Sequence, residues 1–215
     1  FIQVGARIIG GCCGTTPEHI KKVSDSIKLT RAERASIHIM DKRKQDISVR
    51  DQKQEDPPMS VEEKSLLSKR ISQGHFVASC EMTPPRGWEL QRIIHAAEEL
   101  KNAGFDTINV PDGPRASAKM GPLAMAVTIQ QRVGAETILH YTCRDRNMLG
   151  MQSDLLGAYA VGLRNVLLIT GDPPALGDYP YATGVFDVDA IGLTNMVTRL
   201  NHGYEVAPVT RLSVA

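Results

Sequence analysis

Residues 136–174 read "ETILHYTCRDRNMLGMQSDLLGAYAVGLRNVLLITGDPP". Two apolar runs, residues 136–143 and 165–170, flank a segment around residues 152–162 whose apolar content suits a helix, so the stretch reads as strand, crossover helix, strand. Neither run alternates in the manner of a strand with one wet face. Strands of that kind belong to parallel sheets covered by helices.

The same alternation extends in both directions. Upstream lie the strands "HFVASCEM" (75–82) and "DTINV" (106–110), with helices over residues 89–104 and around 122–134. In the first of these helices Leu90, Ile93, Ile94, Ala97 and Leu100 recur at helical spacing and Gly104 ends it. Downstream come a helix around residues 188–203 and a short strand "RLSVA" (211–215). Successive units without a dinucleotide glycine fingerprint predict an α/β fold of the (β/α)8 TIM-barrel type. About five strands fall short of the eight needed for closure, so the barrel is expected to be incomplete.

Residues 60–215 form this region. A helix leads into it, with a capping box from Ser60 and Glu63, an apolar face of Leu66, Leu67 and Ile71, and Gly74 as its stop. Residues 30–59 carry many charges, lack periodicity and finish at Pro57 and Pro58, as a linker does. Residues 1–29 read as strand, glycine loop and helix. Thr16 is the N-cap, Pro17 the first helical residue, and Ile20, Val23 and Ile27 the buried stripe.

Composition narrows the function. The 215 residues are 42% hydrophobic and 23% charged, ordinary for a globular protein, and 25 basic residues nearly cancel 24 acidic ones. The charges are scattered, which argues against nucleic acid or an anionic membrane as partner and for small molecules. No apolar run nears the roughly 20 residues of a membrane span, and the first residues lack signal-peptide character, so a cytoplasmic location is expected. Cysteines at 12, 13, 80 and 143 do not form a disulfide framework. Self-association into a homo-oligomer is left open.

Candidate chemistry sits at the strand ends, where β/α barrels carry their working residues. Glu81 falls inside an apolar strand before two prolines, an environment expected to desolvate it and suit it to general acid catalysis; the plainer alternative pairs it with Arg86. His140 either hydrogen-bonds a ligand or satisfies a backbone group, and Cys143 reads as a small buried apolar residue. Gly171 permits close backbone approach, and Asp172 projects a carboxylate at the barrel mouth or serves as a turn former. In "GGCCGTTPEHI" (10–20), Gly10, Gly11 and Gly14 allow the dihedrals that turn Cys12 and Cys13 toward one target; two buried thiols at a strand end are the alternative.

The segments "CEMTPPR", "HYTC", "LLITGDPP" and "GVFDVDAIGL", in this order and spacing, resemble the methylenetetrahydrofolate reductase family over about residues 75–215. "GARIIGGCCGTTPEHI" (5–20) resembles the end of a zinc-dependent homocysteine S-methyltransferase barrel, so residues 1–29 would be the last unit of a preceding barrel. The two together are similar to fused methyltransferase/reductase proteins. This resemblance implies flavin-dependent reduction of 5,10-methylenetetrahydrofolate by NAD(P)H, linked to methyl transfer onto homocysteine. It implies Glu81 as proton donor, with Asp172 catalytic and also at the flavin and pterin site. His140, Ile169, Thr170, Gly171, Phe186, Asp187 and Ala215 fall at FAD-lining positions. Cys12 and Cys13 would bind zinc with a third cysteine that lies outside these 215 residues.

Thr170 stands where many of these reductases carry arginine, and Pro111 where they carry threonine, so contacts to FAD are expected to differ. The alternative function is a flavin- or folate-binding module of the same fold without turnover.

Overall fold

A computed structural model of the chain describes residues 16–32 and 59–205, which belong to two compact units, Phe1–Gln52 and Lys53–Ala215. In the first, the expected helix is present as α1 (Pro17–Ala32), directly after Thr16. Its expected buried stripe is not observed in full, because Ile20 is 45% exposed. Among the described residues of that unit α1 is the only element, so nothing described there covers it. Thr30–Ala32, expected to begin the linker at 30–59, instead continue α1; the strand expected before α1, Cys12, Cys13, residues 33–58 of that linker, the strand at 211–215 and Ala215 lie outside the described residues.

The second unit opens with α2 (Val61–Lys64) and α3 (Leu66–Ser72). The Ser60–Glu63 capping box forms, with the Ser60 N–H reaching the Glu63 carboxylate at 3.3 Å. The single expected helix is nonetheless broken at Ser65, which is extended and caps α3 by accepting the Ser68 N–H at 3.0 Å. Nor does an apolar face anchor it, since Leu66 and Ile71 are exposed. The anchor is Glu136, whose carboxylate accepts the Leu66 and Leu67 N–H groups at 3.1 and 2.8 Å and the Asn165 amide at 3.0 Å. A carboxylate is well suited there, at the positive end of a helix with unsatisfied donors.

The rest alternates: β1 (Ser79–Glu81), α4 (Gln91–Asn102), β2 (Thr107–Val110), α5 (Pro122–Val133), β3 (Glu136–Thr142), α6 (Met148–Ala160), β4 (Asn165–Ile169) and α7 (Ala190–Asn201). The four strands form one sheet in the order β1-β2-β3-β4, all parallel, in register Glu81↔Asn109, Asn109↔Ile138 and His140↔Leu167. Sequential order is the winding of a β/α barrel; a doubly wound sheet reverses its order at a switch point. The sheet is therefore part of a barrel wall.

β1 is shorter than the apolar run that predicts it. The Ala78 N–H goes to the Asp106 carboxylate at 2.8 Å, ending the ladder, and Phe76 is 87% exposed. α6 starts earlier than expected because the Asn147 side chain caps it, accepting the Gly150 N–H at 2.9 Å. The core lies on one face of the sheet. Ile108, Val110, Leu139 and Tyr141 meet Ile93 and Ala97 of α4, Met125 and Ile129 of α5, Met151 of α6 and Leu193 and Met196 of α7. No helix among the described residues is long and apolar enough to cross a membrane.

Leu139, fully buried at the centre of this layer, sets the first prediction. Leu139→Ala should cost about 3 kcal/mol through lost burial and the cavity left behind. Urea unfolding followed by circular dichroism measures it, and a loss below about 1 kcal/mol would place the core elsewhere.

Candidate active site at the strand ends

Side chains alternate across a strand, so the register puts Glu81, Asn109, Ile138, His140, Thr142, Leu167 and Ile169 on the face opposite the helices. That face is open among the described residues. Leu167, mid-strand in β4, is 44% exposed, and Ile138 and Ile169 are half-buried. The result is an apolar floor edged with hydrogen-bonding groups.

Glu81 is exposed, which corrects the expectation of a desolvated carboxylate. It sits at the end of an edge strand, on the uncovered face. The alternative pairing with Arg86 is also not observed, because Arg86 binds Asp178 at 3.0 Å. His140 is buried, and its Nε2 meets the Asn109 Oδ1 at 3.1 Å, not a backbone group. With the amide assigned oxygen-first, Nε2 carries the proton and Nδ1 keeps its lone pair for a ligand. Burial holds the imidazole below its ordinary pKa of 6.5, against the opposing pull of the Glu81 and Asp112 charges. Glu81 and His140 are thus electrically coupled.

Behind them lies a network that sequence reasoning missed. Asp112, 6% exposed, accepts the Thr142 N–H and hydroxyl, each at 3.0 Å, and Arg146 Nη1 at 2.7 Å. Arg146 also donates to Asp154 at 3.2 Å and stacks over Tyr141, 4.5 Å from the ring centroid. Tyr141 donates to the same Asp154 carboxylate at 2.9 Å, and burial pushes its pKa far up. The available signal was the position of Asp112, just past a strand end as Asp172 is.

The remaining predicted residues have structural partners. The Thr170 carbonyl accepts the Cys143 N–H at 3.2 Å, and its hydroxyl accepts the Ala190 N–H at 3.0 Å, starting α7. Gly171 has φ +91°, and a Cβ there would lie 3.0 Å from that of Thr142, so glycine is required. Asp172 is exposed and accepts the Arg115 N–H at 2.9 Å. Phe186 packs against the core, while Asp187 accepts the Met148 N–H at 3.0 Å at the start of α6. Cys143 is buried, and burial raises its thiol pKa. Among the described residues, no three His, Cys, Asp or Glu side chains cluster as a metal site.

The family model for methylenetetrahydrofolate reductase matches residues 66–215, and that for homocysteine S-methyltransferase matches residues 1–27. The chain belongs to the methylenetetrahydrofolate reductase family. It is also similar to a rice (Oryza sativa subsp. japonica) protein named "Probable methylenetetrahydrofolate reductase (NADH)", 28% identical over 117 residues. That match covers 54% of this chain and 19% of the relative, so it spans about a fifth of the relative's length. Within this reductase-family chain, Glu81, Asn109 and His140 share the open sheet face, whereas Phe186 and Asp187 are engaged elsewhere.

Two outcomes follow from the geometry. An NMR titration of His140 should give a midpoint below 6.5, and Glu81→Gln should lower it further by removing an opposing charge; a rise on substitution would break the coupling. Because the folded pKa is depressed, the associated stability is present above pH about 6.5 and lost as pH falls through the folded value. Asp112→Asn should cost about 3 kcal/mol, since it leaves Arg146 inadequately paired. Urea unfolding that showed no loss would remove Asp112 from its structural role.

Proposed function

We propose that this chain contributes to flavin-dependent reduction of 5,10-methylenetetrahydrofolate to 5-methyltetrahydrofolate, in a protein that also transfers a methyl group to homocysteine. The observation that carries this reading is the meeting of Glu81, Asn109 and His140 on the open face at the C-terminal ends of parallel strands, in a chain of the reductase family. The match at residues 1–27 supports the methyl-transfer part.

The residues fit a flavin. Leu167, Ile138 and Ile169 offer an apolar floor for a flat ring, and His140 Nδ1 and the edge of Asn109 offer polar contacts at its rim. His140, Ile169 and the Thr170–Asp172 turn would hold it, and Phe186 and Asp187 would do so only from outside this face. The chemistry FAD supplies when bound is hydride transfer, from NAD(P)H to the folate methylene carbon. Glu81 delivers a proton to the folate nitrogen and opens the five-membered ring to an electrophilic iminium. Asp172 grips the pterin. Burial holds His140 neutral, so it orients ligand by accepting a hydrogen bond at Nδ1 and adds no charge.

Cys12 and Cys13 are proposed as zinc ligands for homocysteine activation, because two thiolates are a donor set zinc favours. The substrates are small and water-soluble, in keeping with a cytoplasmic enzyme. A binding module without turnover is favoured by one observation, the exposure of Glu81, because proton delivery requires ligand to displace water there.

In the longer protein that carries this chain, Glu81→Gln should leave flavin bleaching by NADH intact while folate reduction falls by a factor of about 100 to 10,000. Anaerobic absorbance spectra before and after methylenetetrahydrofolate read both steps. Unchanged folate turnover would remove Glu81 from its role, and a wild-type protein that bleaches with NADH but never reoxidises with folate would favour the module. Cys12→Ala should abolish zinc content and methyl transfer while sparing the reductase.

A further inference from the structure

Asn109 stands between the two groups on which the open face turns. It pairs with Glu81 of β1 on one side, and on the other its side chain reaches His140 of β3. Its backbone serves the first neighbour, because the Asn109 carbonyl accepts the Met82 N–H at 2.8 Å and so fixes the exit of β1 immediately after Glu81. Its side chain serves the second, with Oδ1 3.1 Å from His140 Nε2. One residue therefore sets both positions.

An amide can meet an imidazole in two ways. Its oxygen can accept a proton from Nε2, or its NH2 group can donate to a bare Nε2, and the two choices reverse the character of Nδ1. The neighbours of Asn109 decide between them. Glu81 lies directly opposite on the adjacent strand, roughly 4.8 Å away between backbones, and an exposed carboxylate there attracts the amide NH2 and repels its oxygen. Turning the NH2 toward Glu81 turns Oδ1 toward His140, whose Nε2 then carries the proton. Burial adds weight to the same choice. His140 is only 9% exposed, and an Nε2–H without an acceptor would be costly there. The strand on its other side supplies none, since its partner in β4 is Leu167.

We propose that Asn109 is the positioning residue of this site: it fixes His140 as the Nε2–H tautomer, so that Nδ1 accepts and the ligand atom seated there must be an N–H or O–H donor. A ligand carbonyl or phosphate oxygen at that point is selected against, because it would face a lone pair. Naming the ligand as a flavin rests on the reductase reading. The tautomer does not.

The test uses the longer protein that carries this chain, isotope-labelled at histidine, whose ring nitrogen shifts in NMR report which nitrogen holds the proton. His140→Gln identifies the His140 signals. Above its titration midpoint, wild-type His140 should be the Nε2–H form. Asn109→Leu, close in size but without an acceptor, should move the proton to Nδ1, where water can accept it. Asn109→Asp restores an acceptor and should keep the proton on Nε2. It should also raise the midpoint by about 1 unit or more, because its carboxylate adds to the charges of Glu81 and Asp112 that already act on the ring. A merely structural role for Asn109 would leave the tautomer unmoved in both variants. An Nδ1–H wild type overturns the proposal, as does the wild-type tautomer retained in Asn109→Leu. Should Asn109→Leu fail to fold, an unchanged midpoint in Asn109→Asp overturns it instead. FAD affinity, read by flavin fluorescence, should fall roughly tenfold in Asn109→Leu and recover in part in Asn109→Asp. A tautomer that shifts with no change in FAD affinity keeps the positioning role and refutes flavin as the ligand.

Discussion

The buried carboxylate of Asp112 ties the exit of β2 to the exit of β3. It takes two bonds from Thr142, one backbone and one hydroxyl, and a third from Arg146. A charge so far from water is tolerable only with its acceptor positions filled, and losing one partner strands the others. Arg144 adds a second thread from the β3 exit to the Gly113 carbonyl. With the two exits held at fixed spacing, Asn109 and His140, a few residues back along the same strands, keep their 3.1 Å contact. The open sheet face inherits its geometry from a network at the strand exits behind it.

Helix coverage on a single face explains why the sheet can be apolar and polar at once. Ile108, Val110, Leu139 and Tyr141 point into the helices, where burial of carbon is worth most. Thr107, Asn109, Glu136, His140 and Asn165 point the other way in the same strands. Even the helix-side exceptions follow the rule for buried polar groups, since the Tyr141 hydroxyl finds Asp154 on α6 and the Thr137 hydroxyl finds Gln130 on α5. Strands of this kind look almost uniformly apolar in sequence, because the polar residues are few and most of them fall at the positions that face the barrel interior.

That distribution also decides what the sequence could reveal. β3 and β4 are long apolar runs with glycine or proline at their borders, and α4, α5 and α7 carry regular apolar spacing, so local pattern was sufficient. β1 was overestimated because its end is set by Asp106, 28 residues from Ala78. α3 was misjudged because its anchor, Glu136, is about 70 residues away. Glu81 was expected to be desolvated because its neighbours are apolar; alternation puts those neighbours on the other face. Asp112 and Arg146 went unnoticed because their partnership spans 34 residues and two loops. Contacts closed by folding leave no local signature.

The rim of the site is set by a similar non-local choice. Asp178 takes Arg86 at 3.0 Å and the Ala118 N–H at 3.0 Å, while its own N–H reaches the Ala116 carbonyl. A Cβ at the adjacent Gly177 would overlap that carbonyl, so the two loops touch through glycine. The Arg86 hydrogen bond, then the Ala118 N–H, hold the Asp178 carboxyl below its usual pKa, so the clamp persists above the usual carboxylate range and yields only as pH falls through that lower value. By claiming Arg86, Asp178 leaves the Glu81 side chain without a cation among the described residues. The arginine that sequence proximity would have given to Glu81 instead holds the loops above it in place.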